Sequence, residues 1–123
     1  MIQPRSIVNI ADNSGAKIGR IFKVLGATRK RYAEVGELVI LSVQKAEPRK
    51  AIKKKDVLRA VVVRQTKPIR RKDGSYIRFD ENAVVIIEKD KKEPIAGRIF
   101  GPIPREIGEA GFKTIASKAS EIV

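Results

Sequence analysis

The chain has 123 residues, within the range of one domain, and 42% of them are apolar, enough for a real core. It carries 27 Lys and Arg against 14 Asp and Glu, and a net charge of +13 points to a polyanionic partner: nucleic acid, an anionic membrane or another acidic surface. It has no cysteine or histidine, which excludes disulfides and Cys/His zinc sites, and no stretch approaches the roughly 20 apolar residues of a membrane span.

Taken in chain order, strand-length apolar runs alternate with turn signals. "SIVNI" (Ser6 to Ile10) is the first and ends at the turn formers Asp12-Asn13-Ser14-Gly15. "KIGRIFKVLG" follows, then the basic stretch "ATRKRYAEVG". "ELVILSV" (Glu37 to Val43), "VLRAVVVR" (Val57 to Arg64) and "AVVIIE" (Ala83 to Glu88) are the next three strands. Val61-Val62-Val63 and Val84 to Ile87 are apolar at consecutive positions, which suits strands covered on both faces. In a small all-β chain, a closed barrel with a further element packed outside meets that need and removes sheet edges. "GRIFGP" (Gly97 to Pro102) reads either as a sixth short strand or as a docking edge for a partner. In the tail, Phe112, Ile115, Ala116 and Ala119 fall on one face of a short helix, and Pro104 and Gly108 could open and close a shorter turn. The expectation is a single domain over 1–123, mainly β, with a ribbon at about 67–80 and a helical tail at about 103–120.

The cations cluster between strands. The first cluster is Arg29, Lys30 and Arg31. The second is Arg49, Lys50, Lys53, Lys54 and Lys55, and Arg64 ends the fourth strand. The third, with Lys67, Arg70, Arg71, Lys72 and Arg78, flanks Asp73-Gly74, a hairpin signal. Arginine forks on such a ribbon suit phosphate oxygens, and these cations are the expected ligands of a nucleic acid, RNA or DNA. One charge run alone would be a solvated face; three on one small domain indicate a polyanion-binding surface. Among the six aromatics only Tyr32, Tyr76 and Phe79 lie beside cations of these clusters, so contacts to backbone phosphate and shape should dominate over base stacking. The charge is uneven: residues 1–79 hold 20 basic and 6 acidic residues, whereas residues 80–123 hold 7 and 8. The nearly neutral tail therefore reads as the part that meets proteins.

No catalytic constellation is present. Ser14 has no histidine to activate it, and Gly15-Ala16-Lys17 lacks the rest of a phosphate-binding loop. Asp80-Glu81 reads as a turn that balances Arg78. The chain is expected to be neither an enzyme nor a metal or cofactor protein. Its N-terminus lacks the apolar run of a signal peptide, so a cytoplasmic location is expected.

"ADNSGAK", "KVLG", "KRYAEVG", "RAVVVR", "DGSYIRFDENAVVII" and "RIFGP" occur in that order across nearly the whole chain. Together they resemble the universal large-ribosomal-subunit protein fourteen family in its bacterial type. The resemblance implies a five-stranded closed β-barrel with a projecting ribbon and one or two short C-terminal helices. It also implies binding to large-subunit (23S-type) rRNA, a share in inter-subunit bridges with small-subunit rRNA, and the third and nineteenth large-subunit proteins as neighbours. A further implied partner is the ribosomal silencing factor on the C-terminal face. Arg98 matches a family position there, while Gly97 and Thr114 stand where Thr and Lys are common and Lys113 is offset by one residue. With Phe100 and Lys118 these form the expected protein-partner or bridge face. No membrane partner is implied. The alternative is a free RNA-binding module or chaperone.

Overall fold

The computed structural model describes residues 2–26, 30–49, 52–88 and 91–123. Strands β1 (Ile7–Ile10), β2 (Ala16–Val24), β3 (Leu38–Ala46), β4 (Val57–Arg64) and β7 (Ala83–Ile86) close into a barrel in the order β1-β2-β3-β4-β7. Within the barrel all pairings are antiparallel except the one that shuts it, where β1 runs parallel to β7 with Asn9 opposite Ala83. Between β4 and β7 projects a two-stranded ribbon, β5 (Ile69–Arg70) and β6 (Tyr76–Ile77). After the barrel come β8 (Ile99–Ile103), α1 (Glu106–Glu109), α2 (Lys113–Lys118) and β9 (Ala119–Ile122). The protein is thus mainly β, with a closed five-stranded barrel and two short helices, as expected.

The consecutive valines are explained by two cores that share β4 and β7. Ala60, Val62, Val84 and Ile86 point into the barrel with Val8, Ile21, Val39 and Leu41. Val61, Val63 and Val85, one residue out of phase, face outward and pack under Ile99, Ile103, Ile107, Phe112 and Ile115 of the tail. Each of those large tail side chains contributes about 1.5–3 kcal/mol by leaving water. The tail is therefore the lid of a second core, seated on one side of the barrel only.

The tail also departs from expectation. Gly108 lies inside α1 and does not close it; Ala110 ends the helix. Ala119 does not complete the face of α2, because its backbone is already extended (φ −73, ψ 145) and opens β9. β9 pairs in parallel with β8, Ile99 opposite Ala119 and Ile103 opposite Ile122. "GRIFGP" is thus mostly strand, and the last residues return to it.

Candidate nucleic-acid interface

The barrel sorts the basic clusters to its two ends. β4 is the ruler: the loop holding Arg49 and Lys53 to Lys55 enters its start, and the ribbon leaves its end at Arg64. Eight residues of strand separate them by about 25 Å. Lys30 and Arg31 sit at the ribbon end, since Val35 donates its N–H to Gln65 Oε1 and Gly36 donates to the Val62 carbonyl. Arg29 and Lys50 lie outside the described residues.

At the β4 start, Asp56 accepts the Lys53 N–H at 2.9 Å, and Lys55 donates its N–H to the Val43 carbonyl at 2.7 Å. Arg49, Lys53, Lys54 and Lys55 are exposed on this pinned turn. Arg49 (φ 121) and Lys55 (φ 74) hold left-handed backbone, which costs a side-chain-bearing residue of order 1 kcal/mol or more where glycine would be free.

The ribbon is fixed at its root and its tip. Buried Gln65 donates to the Lys67 carbonyl, and Thr66 donates its N–H to Asn82 Oδ1. At the tip, Asp73 Oδ1 accepts both the N–H and the hydroxyl of Ser75, which hold its carboxyl below the ordinary value. Gly74 takes φ +89 there, a conformation the turn requires and glycine reaches without strain. Lys67, Arg70, Lys72 and Arg78 are exposed, and Tyr76 between them is 67% exposed. Phe79 is half-buried, and Tyr32 is exposed near the same end of the barrel.

Arg71, Lys30 and Arg64, all expected RNA ligands, are used within the protein. Arg71 clamps the ribbon to the tail, with Nε 2.8 Å from Glu106 Oε1 and a second nitrogen donating to Glu106 Oε2 (3.2 Å) and to the Val123 carbonyl (2.6 Å). Lys30 pairs with Glu37. Arg64, 9% exposed, lies 3.0 Å from Glu81 and donates to the Phe100 carbonyl at 2.9 Å. Burial pulls its pKa down and Glu81 opposes that shift. So Glu81 balances Arg64, not the expected Arg78, and it also accepts a bond from Asn9. A cation ending an apolar strand, with a carboxylate just before the next one, is the signal for this pair.

The second expected face lies on the tail. Arg98 and Phe100 are exposed on or beside β8, tied down by Asn13 Oδ1 accepting the Arg98 N–H and the Ala11 carbonyl accepting the Phe100 N–H. The β8–β9 register sets Ile99, the residue after Arg98, opposite Ala119, the residue after Lys118. Lys113 and half-buried Thr114 open α2 and share a shallow pocket with Lys91, Lys92 and Glu93. Among the described residues, no group of acidic side chains could hold a metal ion, and no helix is long and apolar enough to cross a membrane.

The fold and its exposed cations define a small basic β-barrel protein with a projecting ribbon and a short helical lid. The family model for ribosomal protein L14p/L23e matches residues 1–123, the whole chain, and the chain belongs to that family. It is a structural component of the large ribosomal subunit, and not an enzyme.

Proposed function

We propose that the chain binds large-subunit rRNA through two cationic lobes at opposite ends of the barrel. One is the Arg49–Lys55 loop. The other is the ribbon with Arg31. The observation that carries this reading is the placement of nine exposed cations (Arg31, Arg49, Lys53, Lys54, Lys55, Lys67, Arg70, Lys72 and Arg78) on backbone that hydrogen bonds hold in place. Prepaid ordering lets charge contacts accrue with little entropy loss on binding. Lobes about 25 Å apart cannot share one short single strand in a compact form, so they fit a folded RNA read by phosphate position and shape. In this reading Arg71, Lys30 and Arg64 shape the surface, and Arg29 and Lys50 are proposed as further RNA ligands.

The tail face, with Arg98, Phe100, Lys113, Thr114 and Lys118, is the proposed meeting place for small-subunit rRNA at an inter-subunit bridge and for proteins. The proteins are the neighbouring third and nineteenth large-subunit proteins and the silencing factor. Its support is an exposed aromatic flanked by cations on a tethered strand. Family membership disfavours a free RNA-binding module. The test is the salt dependence of binding to a large-subunit rRNA fragment. Arg70→Ala, Lys72→Ala and Arg78→Ala should each lower the log–log slope by somewhat under 1. Unchanged slopes in all three would remove the ribbon from the RNA interface.

A further inference from the structure

The tail covers only one side of the barrel. The other side, formed by β1, β2, β3 and the start of β4, carries no second layer among the described residues, and its outward residues are not those of an ordinary solvated sheet. The register sets Ile7, Arg20, Ser42 and Val57 in one row across four strands, and Lys23, Ile40 and Arg59 in the next. Phe22 sits between the rows at a β-bulge. Ile7 is 59% exposed, Phe22 50% and Val57 61%. The band runs on into an apolar groove of about 510 Å³ between Ile40, Val57, Ile87 and Ile95, with Arg59 and Glu88 at its lip. Four strands give the band a width of about 15 Å.

Two features say what covers it. First, Phe22 is the one ring on the band among the described residues, whereas Ile7, Ile40, Val57 and Ile95 are aliphatic; these four offer no face for stacking a base, and a phosphate backbone would leave them unburied. A protein side chain fills such a groove, and a continuous exposed apolar band on a rigid sheet is the mark of a protein interface. Second, three cations on the band lack a carboxylate partner among the described residues. Arg5, Arg20 and Lys23 make no ion pair, whereas Glu88 at the far lip faces Lys91. Arg5 is held beside Phe22 by its N–H bond to the Ile21 carbonyl, on left-handed backbone (φ 75).

We propose that the outer face of β1 to β4 is a docking surface for another protein. That partner inserts an aliphatic or aromatic side chain into the Ile40–Val57–Ile95 groove and sets carboxylates against Arg20 and Lys23. The proposal does not depend on the RNA reading of the loops and ribbon, because the two surfaces share no residue.

The chain has no cysteine, so a Val57→Cys variant carries a unique thiol on the band. The variant is assembled into large subunits, and its alkylation by a maleimide is compared with that of the free protein. A benzophenone maleimide on the same thiol is then photolysed in the subunit, and the adduct is identified by mass spectrometry. Expected are strong protection and a crosslink to a peptide with Asp or Glu within a few residues. Arg20→Asp with Lys23→Asp should lower the crosslink yield about fivefold, as two rim ion pairs would. A thiol alkylated as fast in the subunit as in solution overturns the proposal, and so does a crosslink to a nucleotide. A crosslink to a peptide without acidic residues, or a yield indifferent to the double charge reversal, overturns its electrostatic half. If Val57→Cys does not assemble, Phe22→Cys reads the same band. An Arg78→Cys control, expected to crosslink to RNA, tests the RNA reading separately.

Discussion

Replacing Arg64 by Met keeps the aliphatic stem in its slot and deletes the guanidinium of a side chain that is 11% exposed. Two interactions go. The charge-assisted bond to the Phe100 carbonyl, 2.9 Å long, is worth about 1.5–3 kcal/mol. The pair with Glu81 is worth less, about 0.2–1 kcal/mol, because the Glu81 side chain is 42% exposed. Glu81 also keeps Asn9 as a partner, so water and the amide absorb much of its loss. The desolvation of a buried cation is relieved and offsets part of the total. The net expectation is a destabilisation of about 2 kcal/mol, read by urea unfolding of the purified protein. A double-mutant cycle with Glu81→Gln should give a coupling of about 0.5–1 kcal/mol. Hydrogen exchange supplies a local signature: Phe100 N–H, bonded to the Ala11 carbonyl, should open sooner when β8 loses its anchor. A loss below about 0.5 kcal/mol with unchanged exchange at Phe100 would refute the assignment of Arg64 as the tie between barrel and tail.

Gly101 and Asp12 test the same framework. Gly101 holds φ +80, and a Cβ there would stand 2.6 Å from an Arg64 nitrogen, so Gly101→Ala should cost about 1–2 kcal/mol in strain plus the clash. In the Arg64→Met background the clash part should vanish, and equal costs in both backgrounds would count against the contact. Asp12, 4% exposed, accepts bonds from the Ser14 N–H and hydroxyl and from the Ile86 N–H. Burial nonetheless raises its pKa above 3.8, the bonds opposing that rise. The stability it contributes is full below pH 3.8 and is lost as pH rises through the folded value. Asp12→Asn should therefore cost about 1–2 kcal/mol by turning an amide nitrogen toward the Ile86 N–H, with the deficit against wild type larger near pH 3 than at pH 7. A deficit that grows toward neutral pH would mean that the bonds outweigh burial.

Much of this protein is written locally. The β-branched runs, the turn chemistry at Asp12 to Gly15 and at Asp73-Gly74, and the apolar spacing in the tail each act over a few residues. Strands and a hairpin follow from them wherever they lie. The triple valine also requires cover on both faces, and the lid of Ile103, Ile107, Phe112 and Ile115 meets that requirement. The basic loops are legible for a similar reason, since charge density is a property of the chain and the family pattern runs through it.

What the fold alone decides is which charges meet. Arg64 and Arg71 look like their neighbours in sequence, yet pairing with Glu81 and Glu106, 17 and 35 positions away, removes them from the exposed cationic set. β9 is invisible in "ASEIV" because a parallel partner comes from outside the segment: β8 supplies it only after α1 and α2 have turned the chain back. Ile7, Phe22 and Val57 are unremarkable strand residues one by one. Only closure of the barrel, with its lid on the far side, sets them together on an uncovered face beside Arg20 and Lys23. Local propensity is a sum over neighbours in sequence, whereas a binding surface is a sum over neighbours in space, and barrel closure is the step that exchanges one for the other.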